Sequence, residues 1–120
     1  MERPMLAECE YRFMDLLWER EPVSSGALVE LCLDRFQWKK STTYTVLKRL
    51  GEKGLLRNEN GEVRALVSRE EVQTQASQHF VEQTFGGSLP GFLAAFLGGK
   101  AISDREAEEL KRLIDESRED

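Results

Sequence analysis

Little in this chain equips it for chemistry of its own. It has one histidine, His79, and two cysteines, Cys9 and Cys32, in 120 residues, with no metal-ligand spacing among them. His79 lacks a neighbouring Cys, Asp or Glu arrangement of catalytic spacing. No Gly-rich phosphate loop is present either, since Gly86-Gly87 and Gly98-Gly99 read as helix stops. An enzyme is therefore not expected, and neither is a metal or cofactor. No apolar run approaches the roughly 20 residues of a membrane span. The opening Met1-Glu2-Arg3-Pro4-Met5 lacks the apolar stretch of a signal peptide, so the expected location is the cytoplasm, without membrane insertion. Both cysteines fall on predicted helices and are expected to be buried thiols.

What the chain does have is charge, unevenly spread. Charged residues make up 32% and apolar ones 40%, a globular composition with much solvated surface. The net charge of −5 would argue against a polyanionic partner if it were uniform. Residues 35–57, however, carry seven Lys/Arg against Glu52 alone, a net of +6, while residues 1–34 carry −5. Residues 58–100 and 101–120 add −2 and −4. A basic island in an acidic chain suits a local phosphate contact with little stray affinity elsewhere.

The hydrophobic spacing organises the chain around that island. Tyr11, Phe13, Met14, Leu17 and Trp18 recur at helical intervals up to Pro22, where a first helix ends, and Trp18 reads as packing. Ser24 or Ser25 caps a second helix with Ala27, Leu28, Leu31, Cys32 and Phe36 on one stripe. A third helix is expected from about Thr42, capped by Ser41, with Thr43, Val46, Leu47 and Leu50 turned to a core. Its other face shows Thr42, Tyr44, Thr45, Lys48 and Arg49, which are hydrogen-bonding or cationic, so it is a candidate DNA-reading helix. Gly54 suits the helix stop, and Asn60-Gly61 between two strand-like runs signals a β-hairpin. Helix, helix, basic helix and hairpin describe a winged helix-turn-helix over residues 1–68.

Residues 69–120 are different in character. Ser68-Arg69-Glu70-Glu71 and Ser103-Asp104-Arg105-Glu106 are capping boxes for a fourth and a sixth helix. Ser88 caps a short fifth helix whose Leu89, Phe92, Leu93, Phe96 and Leu97 have no charged neighbour. Three such helices have too little surface to fold back on and need a partner, most economically a second copy of the chain. The expected interface comprises Phe80, Leu89, Phe92, Leu93, Phe96, Leu97, Leu110 and Leu113. The predicted fold is thus mainly α with a small β-hairpin, a winged helix-turn-helix followed by a three-helix dimerisation arm.

Several motifs are similar to those of a known family. Trp38, the Thr42-x-x-Thr45 pair, Val46-Leu47, Arg49-Leu50 and Lys53-Gly54 resemble the reading-helix pattern of the BlaI/MecI/CopY-type penicillinase repressors. Trp18 after Leu16-Leu17, and Leu93 to Leu97 followed by Ile102-Ser103 and Glu108-Glu109-Leu110, extend the resemblance over nearly the whole chain. It implies a homodimeric winged-helix repressor on a palindromic double-stranded DNA operator, with β-lactam resistance genes as candidate targets. By position, Thr42, Tyr44, Thr45 and Lys48 are assigned to base edges, and Lys39, Lys40, Ser41 and Arg49 to phosphates. Arg57 and Arg64 on the hairpin are further phosphate candidates. In the better-known branch, a membrane-bound sensor protease pathway leads to cutting of the fifth helix at an Asn-Phe pair. Ala95-Phe96 stands at that place and marks the candidate cleavage region. The copper-responsive branch carries Cys-x-Cys motifs near its end, and with no cysteine after Cys32 copper sensing of that type is excluded. Two other functions fit a similar build: a small-ligand-responsive repressor, or a winged helix used only for protein contacts.

Overall fold

The first helix, α1 (Glu8–Arg20), turns Phe13, Met14 and Leu17 fully inward, as the spacing predicts, and buries Leu16 as well, while Tyr11 and Trp18 are half-buried. The structure is a computed structural model that describes residues 6–119, so the Met1–Met5 stretch inspected above for a leader lies outside the described residues. One inward position on α1 is not apolar. Glu10, one turn before Phe13 and Met14, is only 1% exposed. Its carboxylate accepts the Ala7 backbone N–H at 2.9 Å, which closes the first turn of the helix. Cys9, expected to be buried, is exposed. Adjacent helical residues point about 100° apart, and Glu10 takes the inward place.

After α1 comes a two-residue strand, β1 (Val23–Ser24), and then α2 (Ser25–Phe36). Ser24 caps α2 by accepting the Ala27 N–H at 3.0 Å, and Leu28 and Cys32 are buried beneath it. The next helix, α3, spans Lys40–Glu52, with Lys39 at its N-cap and no side-chain cap. It begins two residues before the expected Thr42. Ser41 therefore sits inside the first turn and is not the cap, and its carbonyl accepts the Thr45 hydroxyl at 2.9 Å. At the other end Leu55 N–H bonds the Leu50 carbonyl at 3.0 Å and Gly54 N–H bonds that of Gly51 at 3.1 Å. This pair of bonds is a Schellman stop, and it requires the positive φ of 79° at Gly54.

The hairpin consists of β2 (Leu56–Glu59) and β3 (Glu62–Ala65), antiparallel with Asn58 opposite Val63. Asn60 and Gly61 both have positive φ, 52° and 83°, as a type I′ turn demands. The sequence predicts only a hairpin, yet β1 pairs with the free edge of β3 through Val23 and Val63 to give a sheet of order β1-β3-β2. A two-residue strand carries no periodicity by which to detect it. The fold class is otherwise as expected, helices around a small wing sheet followed by three further helices.

Contacts divide the chain into two compact units, Met1–Ser77 and Gln78–Asp120. In the first, Phe13, Met14, Leu17, Leu28, Leu50, Leu55 and Val63 form the fully buried centre. The helix α4 (Arg69–Phe85) begins in this unit. Trp18 Nε1 donates to the Val67 carbonyl at 2.9 Å, and Arg69 pairs with Asp15 at 2.7 Å while lying 5.4 Å from the Trp18 ring centroid. In the second unit Phe80, Phe85 and Phe92 meet edge to face with centroids 5.9, 6.1 and 5.6 Å apart. The remaining helices are α5 (Leu89–Leu97) and α6 (Asp104–Glu116), capped by Ser88 and Ser103. No residue of α5 or α6 is buried. No helix among the described residues is long and apolar enough to cross a membrane.

Glu10 ties α1 to α3. Its oxygens hold Lys53 Nζ at 2.9 and 3.0 Å, with Arg49 Nη1 at 3.4 Å. Burial pushes the Glu10 carboxyl up. The Ala7 N–H, the Lys53 bond and the charges of Lys53 and Arg49 outweigh that and leave its pKa below the ordinary 4.5. Because the folded value is depressed, the stabilisation is complete above pH about 4.5 and is lost as pH falls through the lower folded value. Glu10→Gln should therefore cost about 3 kcal/mol at pH 7, with the gap to wild type narrowing below pH about 4.5. Urea unfolding at pH 7 and pH 3 measures this, and an equal gap at both would remove the charge as its cause.

Candidate nucleic-acid interface

The periodicity of α3 divides it into two faces. Thr43, Val46, Leu47 and Leu50 are buried against the core. Thr42, Tyr44, Thr45, Lys48 and Arg49 are exposed on the outer side. Lys39, Lys40 and Ser41 lie exposed at its start, where unpaired backbone N–H groups favour an anion. Lys40 Nζ is 6.0 Å from the Tyr44 ring centroid, so these two side chains share one patch. The Thr45 hydroxyl hydrogen is committed to Ser41, which leaves its oxygen lone pairs and methyl group to face outward.

The cations of the basic island are not equivalent. Among the described residues Lys39, Lys40 and Lys48 form no ion pair, whereas Arg49, Lys53 and Arg57 each do. On the wing Arg57 pairs with Glu59 at 2.9 Å and Arg64 with Glu62 at 3.1 Å. The register sets Arg57 opposite Arg64 and Glu59 opposite Glu62, so each arginine meets a glutamate two residues along its own strand, on the same face. The result is a neutral quartet at the hairpin tip. Between wing and α3 runs an open groove of about 550 Å³ whose lining includes Tyr44, Leu47, Lys48, Leu56, Arg57 and Leu66.

Arg49 occupies a middle position. Its side chain is 46% exposed, yet one guanidinium nitrogen lies against the buried Glu10. Neither Glu10 nor Lys53 belongs to the outer face that periodicity picks out. A signal exists all the same, because an acidic residue at i of an i, i+3, i+4, i+7 stripe with Phe13, Met14 and Leu17 needs a buried cation.

The other predicted residues lie in the second unit. Phe80, Leu89, Phe96 and Leu113 are 48%, 55%, 62% and 54% exposed. Phe92, Leu93 and Leu97 are half-buried, and Leu110 is exposed. Ala95 and Phe96 are exposed on α5, and His79 is exposed on α4.

A reading helix, a wing sheet and a helical extension in this order invite comparison with known regulators. The family model described as penicillinase repressor matches residues 6–116. The chain belongs to the penicillinase repressor family. It is 22% identical over 113 residues to the methicillin resistance regulatory protein MecI of Staphylococcus aureus strain Mu50, covering 91% of this chain and 92% of that one. Against the penicillinase repressor of Bacillus licheniformis the identity is 24% over 118 residues, 94% of this chain and 91% of the relative. The penicillinase repressor family is one of regulators rather than enzymes. The match takes in both compact units of this member, the wing and α3 as well as the whole of α5 and α6.

Proposed function

We propose that this chain is a transcriptional repressor that binds a palindromic operator as a homodimer in the cytoplasm, with α3 in the major groove. The observation that carries this is the outer face of α3, where hydrogen-bonding and unpaired cationic side chains stand exposed on a helix whose other face is sealed into the core. Thr42, Tyr44, Thr45 and Lys48 meet base edges, while Lys39, Lys40, Ser41 and Arg49 meet phosphates. Arg57 and Arg64 are further phosphate contacts, but their exposed pairs with Glu59 and Glu62 leave the wing tip without net positive charge, so it contributes less than its arginines suggest.

The second copy is argued from the apolar side chains that one chain leaves in water. Leu89, Phe96, Leu113 and Ile114 are at least half exposed, and Phe80, Phe92, Leu93, Leu97 and Leu110 adjoin them in sequence and chemistry. Joining two such surfaces about a two-fold axis buries them, and a palindromic operator then calls for the two reading helices about one DNA turn apart, roughly 34–36 Å. The names of two relatives, a methicillin resistance regulatory protein and a penicillinase repressor, make β-lactam resistance genes the proposed targets. The resemblance to the branch relieved by a membrane-bound sensor protease makes Ala95-Phe96, exposed on α5, the place where such a pathway would act.

Three outcomes are expected. Affinity for a palindromic promoter fragment should fall by about a thousandfold or more between 50 and 200 mM salt, and a salt-insensitive complex would leave only the protein-contact reading. Lys39→Ala should weaken operator and random DNA alike and lower the salt slope by about two, about one for each protomer, whereas Thr45→Val should mainly relax sequence preference. Fluorescence anisotropy on both DNAs separates the two effects, and equal loss for both variants contradicts the assignment. Phe96→Asp should sediment as a monomer, because it places a charge in the apolar interface. A dimer that persists takes α5 out of the interface.

A further inference from the structure

Glu10 is needed for more than the tie between α1 and α3. Its two oxygens are already satisfied without Arg49, by bonds of 2.9 and 3.0 Å to Lys53 and one of 2.9 Å from Ala7. Arg49, at 3.4 Å, is the more distant and the more exposed of its two cationic partners. One carboxylate against two cations leaves a single positive charge in the cluster. Lys53 is 23% exposed and Arg49 is 46% exposed, so that charge reaches solvent chiefly at Arg49. An arginine side chain is otherwise long and free to meet any passing phosphate.

We propose that Glu10 is a specificity-determining positioning residue. Its carboxylate tethers Arg49 at the C-terminal half of α3, so that the guanidinium meets a phosphate only when α3 is fully seated at its operator. The tether presupposes the DNA-binding function proposed above. On random DNA, where α3 rides above the groove, the held guanidinium falls short of the backbone and adds nothing. In the seated complex its remaining N–H groups close on one phosphate while Glu10 keeps it in register.

The experiment compares wild type, Glu10→Gln, Arg49→Ala and the double variant on operator and random duplexes across a salt series, with unfolding monitored in parallel. Arg49→Ala should weaken operator binding about tenfold and leave random DNA within about twofold. Glu10→Gln should release Arg49, steepen the random-DNA salt slope by about one and lower the operator-to-random ratio severalfold. The double variant should return the random-DNA slope to that of wild type. A merely structural Glu10 would instead lower both affinities in step with the folded fraction, at constant slope, and that result overturns the tether. If Glu10→Gln fails to fold, Arg49→Ala still decides, since equal loss on both duplexes overturns it as well. A wild-type protein without salt-dependent DNA binding would sink the function and the tether together. Normal wild-type binding with either failure above removes the tether alone.

Discussion

Burial of the inner stripe of α3 constrains everything else in the first unit. Thr43, Val46, Leu47 and Leu50 pack into the same core as Phe13, Leu17 and Leu28, and a helix cannot turn one face without turning the other. The pose of Tyr44, Thr45 and Lys48 is therefore set from behind, by apolar packing supplied by α1 and α2. The Schellman stop at Gly54 fixes where the helix ends, and Glu10 fixes that end against the start of α1. An apolar residue of similar volume in place of the Glu10 pair could serve stability equally well. What the ion pair adds is a defined orientation for a surface that has to recognise something.

The basic island, counted as +6 from the sequence, presents a smaller and more localised field once folded. Lys53 is absorbed by Glu10, and the wing arginines by Glu59 and Glu62. Of the unpaired lysines, Lys39 and Lys40 sit at the start of α3, where the helix N-terminus already favours an anion, and Lys48 lies farther along its outer face. An acidic remainder around such a focus discourages indiscriminate association with polyanions. Any attraction for a polyanion is thereby concentrated on α3.

The second unit lacks a buried centre in the single chain. Four phenylalanines from Phe80 to Phe96 touch one another in series, but α5 and α6 hold no buried residue. Caps at Ser88 and Ser103 and the glycine that ends α5 give these helices defined ends, so their exposed apolar faces are well-formed surfaces rather than frayed ones. That combination is what an obligate interface requires of each half before assembly.

Wherever local rules operate, the sequence by itself determined the outcome. The inner stripe of α3, the caps at Ser24, Ser88 and Ser103, the stop at Gly54 and the turn at Asn60-Gly61 all follow from side-chain periodicity or from residues with special backbone preferences. The departures are equally physical. Lys40 rather than Thr42 opens α3, because the first turn can form without a side-chain cap and leaves no local signature. The β1 strand, the burial of Glu10 rather than Cys9, and the pairing of Arg49 and Lys53 were decided only by the tertiary structure. Each depends on which groups distant or cross-strand segments bring within a few ångströms. Spacing along one helix shows which side chains face inward or outward, whereas the partner that meets them, and hence which cations remain free, exists only after the segments are packed.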